Sequence, residues 1–393
     1  MTPDLSARIA GVPFPLCIMN ASGALCMTEM ELLELGSSQA GAIVTKSMTQ
    51  EPREGNPEPR YYQFGLGSLN SMGIPNLGYR TYAELLPELR SFGKPVVASI
   101  AGFSLEEYVQ VAEHISDAGP DLVEVNLSCP NVVGKPQIAY DFEASAAILK
   151  ALRPVVRQPM GVKIPPYLDL ALHEAMARVL RECRVDFLVA INSIGNALVI
   201  DPDREEAVIR PKGGLGGLGG ACIKPVALAN VRVFHQLLGP EFPIIGVGGV
   251  ESGTDVFEHL LAGARAVQVG TAFMKEGPGV FPRLRDELAG VLDAKGYGAA
   301  SQVVGKLKSF SGSQSTDSAD FTAAGANLTP GPFPAREGGR LLSLPGEGRL
   351  GWRLGGGPAS RCTFRAKVSR EDAEGAEINQ IGRRNSAFSP PPT

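Results

Sequence analysis

The sequence lacks any cysteine pair at short spacing. Its six cysteines, Cys17, Cys26, Cys129, Cys183, Cys222 and Cys362, are scattered, with no CxxC and no Cys/His cluster at zinc spacing, so neither a disulfide framework nor a structural metal is expected. It also lacks the ~20-residue apolar run of a membrane helix. The opening MTPDLSARIAGVPFPL has neither the basic start nor the apolar core of a secretory leader. A cytoplasmic, reducing location with no membrane association is therefore expected. There is no cationic surplus either. A net charge of −4 and a pI of about 5.8 give no broad field for nucleic-acid backbones, so no nucleic-acid partner is expected and an anionic ligand must be held locally. Histidine is scarce. His114, His173, His235 and His259 all fall in stretches of helical period, where they read as packing or solvent-facing residues rather than catalysts.

What is present is enough for a sizeable core, because 44% of the residues are hydrophobic and only 20% charged. Short apolar, β-branched runs alternate with amphipathic stretches, the pattern of repeated βα units. Strands are expected at 16–20, 42–46, 96–100, 122–127, 161–164, 187–192, 244–249 and 266–270. Helices are expected at 30–35, 105–118, 142–156, 170–183, 225–238, 253–262 and 280–295. Eight such units most simply close into a (β/α)8 TIM barrel, with a doubly wound open sheet as the rival. Two connections, 50–76 and 193–224, are too long to be plain loops. The second carries ALVID and AVIRP around PDREE, which predicts a small β-hairpin on the barrel rim. The expected domains are a barrel over 1–310 and a tail over 311–393. The tail's 83 residues hold 13 Gly, 8 Pro and nine Arg against one Lys, a composition that favours disorder.

The chemistry of a (β/α)8 barrel sits at the carboxyl ends of its strands. Those ends read Asn20-Ala21-Ser22-Gly23, Thr45-Lys46-Ser47, Ser99, Asn126 through Asn131, Lys163, Asn192-Ser193, Gly248-Gly249 and Gly270-Thr271. The recurring asparagines offer uncharged donors and acceptors suited to a flat, polar heterocycle. GGLGGLGG (213–220), GVGG (246–249) and the GT at 270–271 bring bare backbone N–H groups to the last two strand ends, where barrels often hold a phosphate. The alternative is that these glycines only make tight turns. Lys46 and Lys163 end strands, so each is either an exposed rim charge or a fixed cation beside an anionic ring. Cys129 follows the fourth strand, where a thiol could act as base or nucleophile. A free cysteine is otherwise inert packing, as Cys17 and Cys183 are read.

NLSCPN, REGNPEPR, LNSMGIPN, NSIGNALVID, GGLGG, GVGG and the GTA after the eighth strand together resemble the class 1A dihydroorotate dehydrogenases, over about 13–310. The resemblance implies oxidation of dihydroorotate to orotate in pyrimidine synthesis by a homodimer, with FMN as hydride carrier and fumarate as terminal acceptor. It implies Cys129 as catalytic base. Lys46, Asn70, Met72, Gly73, Ile74, Asn126, Asn131, Asn192 and Ser193 are implied around the substrate. Ala21, Ser22, Gly23, Lys46, Ser47, Asn70, Asn126, Lys163, Ile191, Gly220, Gly248, Gly249, Gly270 and Thr271 are implied around FMN. Ile74 stands where Leu is expected and Ser22 where many relatives have Ala; nothing beyond about 310 matches. The alternatives are the NAD-linked class 1B subunit, another FMN-barrel dihydropyrimidine oxidoreductase, or a catalytically silent phosphate-binding barrel. A class 2 enzyme would want a membrane helix and a serine base, and a tRNA dihydrouridine synthase a basic face.

Overall fold

The computed structural model describes residues 2–128 and 137–308. The tail and the segment that carries Cys129 and Asn131 lie outside them. Eight parallel strands form the barrel: β1 (Ile18–Asn20), β2 (Ile43–Val44), β3 (Val96–Ile100), β4 (Leu122–Asn126), β5 (Met160–Ile164), β6 (Phe187–Ala190), β7 (Ile244–Val247) and β8 (Ala266–Val269). They pair in the order β1-β8-β7-β6-β5-β4-β3-β2, which is the expected barrel and not the doubly wound sheet. The ladder runs from β1 round to β2, and the two ends are joined by one backbone bond, from the Gly41 N–H to the Ile18 carbonyl at 2.8 Å, and by a side chain. Asn20 donates from Nδ2 to the Val44 carbonyl at 2.7 Å and accepts the Val44 N–H on Oδ1 at 2.9 Å. By its place in the sequence Asn20 belongs with the polar strand ends expected to face a ligand. It is instead fully buried and serves as the seam of the barrel.

Most strands are shorter than the apolar runs suggest. The expected 42–46, 187–192 and 244–249 contract to Ile43–Val44, Phe187–Ala190 and Ile244–Val247. The cause at the seventh strand is that Gly248 and Gly249 adopt φ of +121° and +73°, which ends extended pairing and turns the backbone over the barrel mouth. A Cβ on Gly249 would also lie 2.3 Å from that of Lys224, so this close crossing requires glycine.

The expected helices are present. Helix α3 (Leu105–Ala118), for example, starts at Ser104, whose side chain accepts the Glu107 N–H, and ends at left-handed Gly119. Two helices are not among those expected, the short Thr271–Glu276 and the longer α2 (Tyr79–Ser91), which contains Pro87. Proline disfavours a helix interior, yet here Tyr82, Leu85, Leu86 and Leu89 form a buried stripe at helical spacing, and Pro87 lies on the exposed face. Packing of that stripe overrides the local penalty.

The two long connections do more than was read from them. The expected rim hairpin is present as Ile200–Asp201 paired antiparallel with Glu206–Ala207. In addition, the connection after β2 supplies strands Tyr61–Phe64 and Gly67–Asn70, and the connection after β6 supplies Ile194–Ala197 and Gly216–Gly219. These join into one four-stranded antiparallel sheet, with Gly67–Asn70 beside Gly216–Gly219 at its centre.

Candidate active site

The carboxyl ends of the strands and the underside of this rim sheet line a cleft with about 1170 Å³ of empty space, open solvent at its mouth included. Ala21, Ser22 and Gly23 enter it after β1, Lys46 and Ser47 after β2, Asn126 from β4 and Lys163 from β5. Ile191, Asn192 and Ser193 follow β6, Gly248 and Gly249 follow β7, and Gly270 and Thr271 follow β8. The rim contributes Gly220 and the run Asn70, Met72, Gly73 and Ile74. Every described residue implied around the substrate or FMN therefore lines this cleft, whereas the strand-end residues Asn20, Thr45 and Ser99 do not. Cys129 and Asn131 lie outside the described residues.

Hydrogen bonds fix the polar lining. Asn126 donates to Ser47 Oγ at 2.9 Å and accepts from the Ser128 N–H and hydroxyl. Asn192 donates to Ser128 Oγ at 3.0 Å and accepts the Ser193 N–H at 2.8 Å. Asn70 donates to the Gly217 carbonyl within the rim sheet at 3.0 Å. Ser68 and Thr271 share a hydroxyl bond of 2.9 Å that ties the rim to the end of β8. Side chains held in this way present one geometry and lose little freedom when a ligand arrives.

Lys163 is not the exposed rim charge it might have been. Only 3% exposed, it donates to Gln268 Oε1 at 2.9 Å and lies 3.9 Å from a carboxylate oxygen of Glu124. Glu124 is wholly buried. It accepts from Gln268 Nε2 at 2.8 Å, across the barrel interior, and from Ser99 Oγ at 3.3 Å. Ser99 in turn shares a 2.9 Å bond with Ser47. Sequence reasoning missed Glu124 and Gln268. The signal was a charged residue inside the otherwise apolar run LVEVN, since an acid is almost never fully buried unless paired.

The cysteines and histidines divide sharply. Burial pushes the Cys26 thiol up to about 11 and the Cys17 thiol up to about 12, so both stay protonated at neutral pH and neither can serve as a base there. The histidines are packing or solvent-facing residues, as expected, with His173 and His259 buried and His114 exposed, but His259 also supports the site. It is fully buried, its Nε2 lies 3.1 Å from the Gly248 carbonyl, and burial lowers its pKa to about 4. A neutral imidazole donating there steadies the glycine turn at the cleft wall. No group of acidic, histidine and cysteine side chains suited to a metal ion occurs among the described residues, and no helix among them is long and apolar enough to cross a membrane.

A (β/α)8 barrel with a preformed polar cleft at its strand ends, and buried lysines facing into it, defines a small-molecule barrel enzyme. Comparison with known proteins narrows the class. The family model described as dihydroorotate dehydrogenase matches residues 4–292, and the chain belongs to that family. Dihydroorotate dehydrogenase A (fumarate) of Lactococcus lactis subsp. lactis is 49% identical over 309 residues, which is 78% of this chain and 99% of that protein. Dihydroorotate dehydrogenase (fumarate) of Lachancea kluyveri is 49% identical over 313 residues, 79% of this chain and all of that protein. The ligand-free Eimeria tenella enzyme superposes with a TM-score of 0.67 at 22% identity, covering 77% of this chain and 92% of its own, a likeness of fold alone.

Proposed function

We propose that this chain oxidises (S)-dihydroorotate to orotate in pyrimidine biosynthesis, as a cytosolic, FMN-dependent homodimer that passes its electrons to fumarate. The observation that carries the reading is the convergence of the strand-end residues on one cleft around buried Lys163. The fumarate-linked names of the relatives support it.

The residues present fit FMN. Tyr61 Oη is buried against the cleft, with the Ser68 side chain beside it and no hydrogen bond of good geometry among the described residues, so its phenol can still serve a ligand. At Gly270 an added Cβ would meet only that of Ala21, at 3.8 Å, so the strand end is open for a ligand to approach the backbone. Ala21, Ser22, Gly23, Ser47, Asn70, Asn126, Ile191 and Gly220 would hold the cofactor, with the Gly248–Gly249 and Gly270–Thr271 backbone at its phosphate. Bound there, FMN supplies the acceptor for the hydride that leaves C6 of the substrate.

The chain's own residues do the rest. Lys163, already oriented, stabilises negative charge as it gathers beside it. Lys46, Asn70, Asn126, Asn131, Asn192 and Ser193 set the plane of the pyrimidine ring and receive its carboxylate, with Met72, Gly73 and Ile74 closing over it. Cys129, as thiolate, takes the proton from C5. In the second half-reaction fumarate, a small planar dicarboxylate, would occupy the same ring of donors after orotate has left, and Cys129 would return the proton that, with the hydride carried over by the reduced cofactor, makes succinate.

Steady-state oxidation of dihydroorotate by the purified single chain tests the reading, with fumarate, a soluble quinone and NAD compared side by side. Turnover with fumarate and competition between orotate and fumarate are expected. Turnover with NAD would overturn the fumarate scheme, and a colourless preparation that cannot be loaded with FMN would overturn the flavoenzyme reading altogether.

A further inference from the structure

The buried acid behind Lys163 has no part in the chemistry above. A carboxylate wholly removed from water is costly unless it is paired, so its presence under the cleft calls for a reason. Its surroundings supply one. The two Glu124 oxygens are oriented by Ser99 Oγ on one side and by Gln268 Nε2 on the other. The Gln268 amide is thereby fixed with its oxygen toward Lys163 Nζ. Lys163 thus meets the Gln268 oxygen at 2.9 Å and the carboxylate only at 3.9 Å, held through the amide rather than by direct close pairing. Lys163 and Gln268 line the cleft, whereas Glu124 does not.

We propose that Glu124 is a positioning residue: through Gln268 it fixes the direction of the Lys163 ammonium, and its charge offsets part of the field that Lys163 projects into the cleft, restraining the electron affinity of the flavin. The proposal rests on the FMN reading above. Flavin reduction adds negative charge, which an uncompensated lysine would favour. Compensation from 3.9 Å, rather than from direct contact, offsets part of that field and leaves part of it acting on the flavin.

The test is the reduction potential of the FMN-loaded full-length chain, Glu124→Gln against the parent. The proposal expects the equilibrium constant for two-electron reduction to rise about tenfold, about +30 mV for a two-electron couple. Sulfite, which adds to electron-poor flavins, should bind correspondingly tighter. An unchanged or lowered potential in a variant that keeps its flavin overturns the proposal while leaving the flavoenzyme reading intact; a parent chain that takes up no FMN overturns that reading instead. Should Glu124→Gln fail to fold, thermal unfolding of Glu124→Gln/Lys163→Met decides. Recovery of a folded chain once both charges are gone supports a charge-offset role. A double variant as damaged as the single would show that Glu124 is only structural, and would overturn the proposal.

Discussion

Replacing Asn20 by alanine should open the barrel at its seam. The Asn20 amide satisfies both the N–H and the C=O of Val44, and Val44 is fully buried, so after truncation no water can take over either bond. Each buried backbone group left unpaired costs about 1–3 kcal/mol. Two of them, plus the small void, give a destabilisation of about 3–5 kcal/mol. β1 and β2 lead directly into Ala21–Gly23 and Lys46–Ser47, so a loosened seam should also weaken FMN binding. Asn20→Asp is a useful companion, because it keeps the size and the acceptor but cannot donate to the Val44 carbonyl, and it should cost about as much. Urea unfolding followed by circular dichroism, with and without FMN, measures both effects. A loss below about 1 kcal/mol for Asn20→Ala would refute the argument that this side chain carries the seam beside the single backbone bond from the Gly41 N–H to the Ile18 carbonyl.

Three further outcomes are expected. Cys129→Ala should keep FMN and slow flavin reduction by dihydroorotate by roughly 10²-fold, measured by stopped flow; in the parent that rate should rise with pH through the neutral-to-alkaline range, as the thiolate of a cysteine with a pKa of about 8.5 accumulates. His259 is held neutral in the folded chain, with its pKa lowered to about 4, whereas the unfolded chain protonates near 6.5. Unfolding therefore takes up a proton below pH 6.5, and stability present above that pH should be lost as pH falls toward 4, by about 3 kcal/mol in all. Urea midpoints at pH 7.5, 6 and 5 should show this dependence, and His259→Gln should flatten it. Truncation after Phe310 should leave FMN binding and turnover unchanged, since about 309 residues align with nearly the whole of the bacterial relative; loss of flavin on truncation would contradict this.

The eight barrel strands were legible because each is a short β-branched run buried on both faces, and runs of that kind need no partner to be recognised. The strand-end residues followed from position alone, as Lys163 and the Gly248–Gly249 pair illustrate. What escaped depends on contacts distant in sequence. Glu124 and Gln268 are 144 residues apart, and neither signals the other until the barrel brings β4 and β8 face to face. Asn20 looked like a ligand-facing amide because its type and place suited that role equally well; only the missing backbone partner for Val44 assigns it to the seam. Helix α2 was hidden by Pro87, whose local penalty is plain in sequence while the Tyr82–Leu89 packing that outweighs it is not.

The rim sheet limits how this enzyme can be altered. Loops at the mouth of a (β/α)8 barrel can ordinarily be exchanged one by one, because each answers to its own strand and helix. Here Gly67–Asn70 and Gly216–Gly219 are neighbours in a single ladder, though they come from connections after the second and sixth strands. Grafting either connection alone from a relative would leave the other with an unpaired edge directly above the cleft. The two must be transplanted as a matched set, and substitutions that tune substrate choice in one should need answering changes in the other.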